Sequence, residues 1–144
     1  MSRGFGALAL LLVLPLAGCA TAPAWGLTAE DGRTHLFRAV DETQQAVGGG
    51  WRSQDDPVPR GCDIPPWSAG ERSSALRIGT TPNDPSAAGE LVARTWLDWG
   101  YRVTQSTVGA ITEVQGRLGD ETLVFRASDA AMTLQGESEC VAVG

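Results

Sequence analysis

DPSAAGELVARTWLDWGYRV, residues 84–103, contains a helix start, one helical face and a helix stop within twenty residues. Asp84 is a residue type that caps exposed N–H groups, and Pro85 suits the first helical position because its ring already holds φ near the helical value. Ala88, Leu91, Val92, Thr95, Trp96 and Trp99 then recur at three- and four-residue spacing, which places them along one face. Gly100 ends the pattern as a residue able to take positive φ. Trp96 and Trp99 are neighbours on that face, so they are expected as core material against a sheet.

Downstream the period changes from helical to alternating. Tyr101 and Val103 open one strand, and Ile111 to Arg117, Glu121 to Ala127 and Met132 to Val141 predict three more. Turns fall at Arg117, Leu118, Gly119, Asp120 and near Ser128 and Asp129. Leu123, Phe125 and Ala127 share one face, as do Met132, Leu134, Gly136, Ser138 and Cys140, while the opposite faces are polar. A one-sided antiparallel sheet follows. The pairs Asp120, Glu121 and Glu137, Glu139 are assigned to solvated turns and faces.

Upstream, Ser74 to Thr80 carries Leu76 and Ile78 at period two and predicts a short strand. Thr28 followed three residues later by Asp31 resembles a capping box, and Leu36, Phe37, Val40, Gln44 and Val47 form a stripe that ends at Gly48, Gly49 and Gly50. His35, the only histidine, falls beside that stripe and is expected at the surface or satisfied by a partner. From Trp51 to Gly70 four prolines and several polar residues predict extended or irregular chain, with Trp51 as its anchor. Asp55, Asp56 and Asp63 lie close together there, but lack the spacing and distal glutamate of a calcium loop. The expected fold class is therefore α+β: an antiparallel sheet of about four to five strands with two helices packed on one face, all within residues 28–144.

Of the 144 residues, 42% are hydrophobic and 19% charged, which permits a packed core. Seventeen acidic residues against eleven arginines, with no lysine, give a formal charge of -6, and such a chain repels nucleic acid.

The first 18 residues differ from the rest. Arg3 supplies a positive start, and Phe5 to Leu16 is an apolar run of about a dozen residues, shorter than the ~20 that cross a bilayer. Residues 1–18 are therefore assigned as a signal peptide. The sequence Leu16, Ala17, Gly18, Cys19 that follows resembles the lipobox of bacterial prolipoproteins. The resemblance implies cleavage before Cys19 and acylation of its thiol. An ordinary secretory signal, cut near Ala17, Ala20 or Ala22, would instead leave Cys19 discarded or free. Residues 19–27 contain Pro23 and Gly26 without periodicity and are assigned as the lipidated cysteine and a tether, with Trp25 either at the lipid interface or against the domain.

Three cysteines leave one unpaired in an oxidising compartment. Lipidation of Cys19 accounts for it and leaves Cys62 and Cys140 as a disulfide pair; two buried thiols are the alternative. A bond between them closes a loop that chain-entropy arguments credit with roughly 4.5 kcal/mol.

The lipobox, the N-terminal helix, Trp51 before a proline-rich segment with Cys62, the helix ending Trp99, Gly100, Tyr101 and the terminal Glu137, Ser138, Glu139, Cys140 together resemble small actinobacterial cell-envelope lipoproteins of unknown function. The resemblance implies an α+β lipoprotein and carries over no catalytic residue.

Chemistry-bearing patterns are missing. There is no G-x-S-x-G elbow, no lysine for an S-x-x-K site and no glycine-rich phosphate loop, and one histidine with a paired set of cysteines does not build a zinc site. The chain is expected to be a non-enzymatic binding or structural module without cofactor or metal. The acyl chains on Cys19 would hold it on the outer face of the cell membrane, and an envelope protein would be its partner through the polar sheet face or the Trp51 to Gly70 segment. The alternative is a carrier of a small apolar ligand or lipid, with Trp96, Trp99, Phe125 and Met132 lining a cavity between helices and sheet. A weaker third reading is a hydrolase that uses His35.

Overall fold

The computed structural model describes residues 27–143. The expected signal peptide (residues 1–18), Cys19 and most of the expected tether lie outside the described residues.

Helix α1 spans Ala29–Val47 and begins as its cap dictates: the Asp31 N–H donates to Thr28 Oγ1 at 3.1 Å, and the Thr28 N–H donates back to Asp31 Oδ2 at 2.9 Å. Helix α2 spans Pro85–Asp98, with Asp84 accepting from the N–H groups of Ser86 and Ala87. Beyond it Gly100 takes φ 89°, which turns the chain so that the Tyr101 N–H reaches the Trp96 carbonyl.

Among the described residues nine strands occur, in chain order β1 (Trp51–Ser53), β2 (Arg60–Ile64), β3 (Ser68–Arg72), β4 (Ser74–Gly79), β5 (Arg102–Val108), β6 (Ile111–Leu118), β7 (Glu121–Ala127), β8 (Met132–Glu137) and β9 (Val141–Ala142). They form a six-stranded sheet in the order β1-β4-β8-β7-β6-β5 and a three-stranded sheet in the order β2-β3-β9, antiparallel throughout. The α+β class and the disulfide stand as expected, but the sheet is larger than four to five strands. The extra strands come from the proline-rich segment: its prolines sit between β1, β2 and β3, where a missing N–H costs no ladder bond. The single strand expected from Met132 to Val141 is also broken. At Ser138 the chain leaves the main ladder: its N–H donates to the Ser73 carbonyl at 2.9 Å, and its Oγ accepts from the Ser73 N–H at 2.8 Å. It then re-pairs as β9 with β3.

Both helices cover one face of the six-stranded sheet. Leu36 and Val40 of α1 and Val92 and Trp96 of α2 pack on Val114, Leu123, Phe125, Met132 and Leu134. Glycines allow the close approach: a Cβ at Gly116 would lie 2.8 Å from the Trp96 ring, and one at Gly136 would lie 2.6 Å from Leu36 Cδ1. In β4 the period-two pair points the other way: Ala75, Arg77 and Gly79 take the helix-facing side, and Leu76 and Ile78 are half-buried on the outer side.

Candidate functional site

The outer face of the main sheet is built from cross-strand rows. One row runs Thr104, Gln115, Val124, Gln135, Leu76; the next runs Ser106, Glu113, Arg126, Thr133, Ile78, Arg52. Within the second row Arg126 Nε donates to Glu113 Oε2 at 2.6 Å, and Arg126 Nη1 reaches across to Gln135 Oε1 of the first row at 3.0 Å. Hydrogen bonds from Gln115 and Arg126 hold the Glu113 carboxyl below the usual carboxylate range. Opposite charges in register stabilise a solvated sheet face.

Against this face folds the chain between β1 and β2. Asp55 anchors it, accepting from the Leu76 N–H at 2.9 Å and pairing with Arg77, whose Nε also donates to Gln44 of α1 at 3.1 Å. Asp56 next to it accepts from the Val58 N–H, which keeps its carboxyl below its ordinary pKa. The result is an open cleft of about 320 Å³. Gln54, Asp56 and Arg60 come from the β1–β2 connection; Leu76, Gln135 and Val124 form one row of the sheet beneath, and Glu137 and Thr122 belong to the next row. Ser74 also lines it. The residue is 9% exposed, and its buried Oγ has no hydrogen-bond partner among the described residues. The two surfaces singled out from the sequence, the polar sheet face and the Trp51 to Gly70 segment, are thus brought together in one site.

A second polar cluster was not legible as such. Glu121, assigned to a solvated turn, is 2% exposed. It lies in phase with Leu123, Phe125 and Ala127, so the strand turns it inward; that phase is the signal that could have found it. There it accepts from the Tyr101 hydroxyl through Oε1 and pairs with His35 Nδ1 through Oε2 at 2.9 Å. Burial, followed by the Glu121 hydrogen bond, pushes the Tyr101 phenol well above its ordinary pKa. His35 is thereby satisfied, as expected. Among the described residues its side-chain hydrogen bond is to Glu121 and none is to a serine or threonine hydroxyl.

The proposed cavity-lining residues separate. Trp96 and Phe125 are fully buried in the core, and Trp96 Nε1 donates to Thr43 Oγ1 at 2.9 Å. Met132 is core with its edge in a recess by Gly49, Thr80 and Leu91, whereas half-buried Trp99 lines a different recess with His35, Arg38 and Tyr101. Cys62 and Cys140 are bonded, with Cα atoms 6.1 Å apart. Their bridge lies against β3 at Gly70, where a Cβ would come within 2.7 Å of Cys140 Sγ. Cys19 lies outside the described residues.

No family model and no curated protein matches the sequence. Among solved structures the fold is similar to that of a DUF4853 family protein from the actinobacterium Actinomyces odontolyticus, with a TM-score of 0.56 at 16% identity. The likeness covers 74% of this chain and 61% of that one, so the chain spans less than two thirds of its neighbour's length. At that identity it is a likeness of fold.

Proposed function

We propose that this protein is a non-enzymatic envelope lipoprotein, held at the outer face of the cell membrane by acyl chains on Cys19, that binds a polar segment of another envelope protein in the cleft between the sheet's outer face and the β1–β2 connection. The observation that carries the reading is the lining of that cleft. Arg60, Asp56 and Glu137 supply charge of both signs, Gln54 and Gln135 supply amides that both donate and accept, and Ser74 Oγ lacks a partner. Such a set matches an extended polypeptide, whose backbone offers donors and acceptors alternately. An apolar ligand would strip water from these polar and charged groups without offering hydrogen bonds in return. Core burial of Trp96 and Phe125 favours this reading over the carrier.

Two measurements test it. A photo-crosslinking residue at Gln135 in the full-length protein, expressed in its own envelope, is expected to give a discrete adduct with another protein. The same residue at Arg94, on the exposed side of α2, is expected to give none. Equal patterns from both positions would remove the cleft from the proposal. Intact-mass analysis of the membrane fraction tests the anchor: an acylated chain beginning at Cys19 is expected, and Cys19→Ala is expected to abolish it.

A further inference from the structure

We infer that the end of the molecule from which the N-terminal segment emerges is a membrane-apposed surface, and that Trp67 enters the lipid interface there. This rests on the anchor reading above.

The register defines that end. Ser74 pairs with Glu137 in the last row of the main ladder, Ser73 and Ser138 join across it, and Glu71 with Val141 and Gly70 with Ala142 continue the same ladder outward. The β2–β3 hairpin therefore projects past the main sheet. Its turn, Pro65, Pro66 and Trp67, lies about five residues beyond the junction, roughly 16 Å at strand rise. Helix α1 starts at the same end: Leu36 packs at Gly136, and a Cβ at Gly32 would lie within 4.0 Å of both Ser138 and Val141. The chain before Ala29 thus leaves beside the projecting hairpin.

A single exposed apolar side chain is ordinary. Trp67 differs in degree and placement: it is 97% exposed, on a turn whose prolines restrict the backbone, with Leu27 at 58% and Val143 at 50% exposed at the same end. Residues 19–26 span at most about 25 to 30 Å, so acyl chains on Cys19 keep this end within reach of the bilayer. An indole favours the headgroup level, where its ring is apolar and its N–H finds water or phosphate. The charge there is mixed. Arg102 and Arg117 oppose each other in the outermost row of the sheet face, while Asp63, Glu71, Asp120 and Glu139 are acidic. Docking is therefore by insertion of the indole, and does not require an anionic lipid.

The test uses the acylated full-length protein in phosphatidylcholine vesicles, in a Trp25→Phe background so that the tether's own indole is silent. Brominated acyl chains are expected to quench part of the tryptophan emission, and Trp67→Phe to remove most of that quench without changing the melting temperature. Trp67 that stays open to aqueous acrylamide on the vesicles overturns the inference while the acylated mass leaves the anchor standing. Shielding of Trp67 by a second copy in detergent, seen as a dimer, also overturns it. A chain without acyl groups removes the anchor and this inference together.

Discussion

The six-stranded sheet and the three-stranded sheet share one ladder direction and one junction, yet different forces hold them. The larger sheet buries a row on every central strand beneath two helices, and its glycines admit Trp96 and Leu36 to van der Waals distance. In β2, β3 and β9 only Gly70 is buried: the start of α1 touches β3 and β9, but buries no apolar row of these strands. What the small sheet has instead is the Cys62–Cys140 bond across its centre. A chain of this size can carry a second, coreless sheet when a covalent link limits the freedom of the unfolded state.

The largest effect expected from this contrast is on the disulfide. Cys62→Ser with Cys140→Ser is expected to cost 2–5 kcal/mol, on the order of what such bonds contribute in small exported domains, and to lower the melting temperature accordingly. Amide exchange should rise first in residues 60–72 and 141–142, with β6 and β7 still protected. Uniform loss of protection, or an unchanged melting temperature, breaks the contrast.

Glycine substitution probes the other side. Gly136→Val is expected to destabilise by about 1–3 kcal/mol, since its side chain meets Leu36 and Leu123 in a filled core. Gly61→Val in β2, where nothing lies within 4 Å, is expected to leave the chemical-denaturation midpoint nearly unchanged.

The buried cluster predicts an alkaline response. Folding raises the phenol pKa of Tyr101 above its ordinary 10.0, so the stabilisation is complete below that pH. Above it the unfolded chain loses a proton that the folded chain retains. Stability should then fall by about 1.4 kcal/mol per pH unit. With one tyrosine and no lysine, few other side chains titrate in that range. Tyrosinate absorbance should therefore rise together with unfolding, and rising before it would refute the assignment.

The smallest of the expected losses is local. Asp84→Ala removes the acceptor for two N–H groups at the start of α2 and is expected to cost about 1 kcal/mol in thermal denaturation.

Legibility followed the range of the interactions. Thr28 with Asp31, Asp84 with Pro85, and Gly100 mark helix ends through neighbours a few residues away, so those ends could be read directly from the chain. The alternation in β6, β7 and β8 likewise marks one face. The short strands β1, β2 and β3 could not be read this way, because Trp51 finds Gly79, and Gly70 finds Ala142, only through pairing at a distance. Arg77 is buried because Asp41 and Gln44 of α1 and Asp55 of the β1–β2 connection converge on it. Nothing in the run Ala75 to Gly79 announces this. The cleft was half legible: both of its walls were named, but not that they face each other.

The order of the main sheet also sets a timetable. Strand β4 pairs with β8 and β3 with β9, so the earliest strands wait for nearly the last residues. A chain delivered N-terminus first, whether from a ribosome or through a translocation channel, can form α1, the β2–β3 hairpin and the β5–β6–β7 meander as it emerges. It cannot complete either sheet until residues 132–142 are free. Until then β4 offers an unpaired edge, and Cys62 remains a thiol available to any oxidase or wrong partner. Chaperones and thiol oxidants that meet the chain would therefore act on it in the interval between the arrival of β4 and that of β8 and β9.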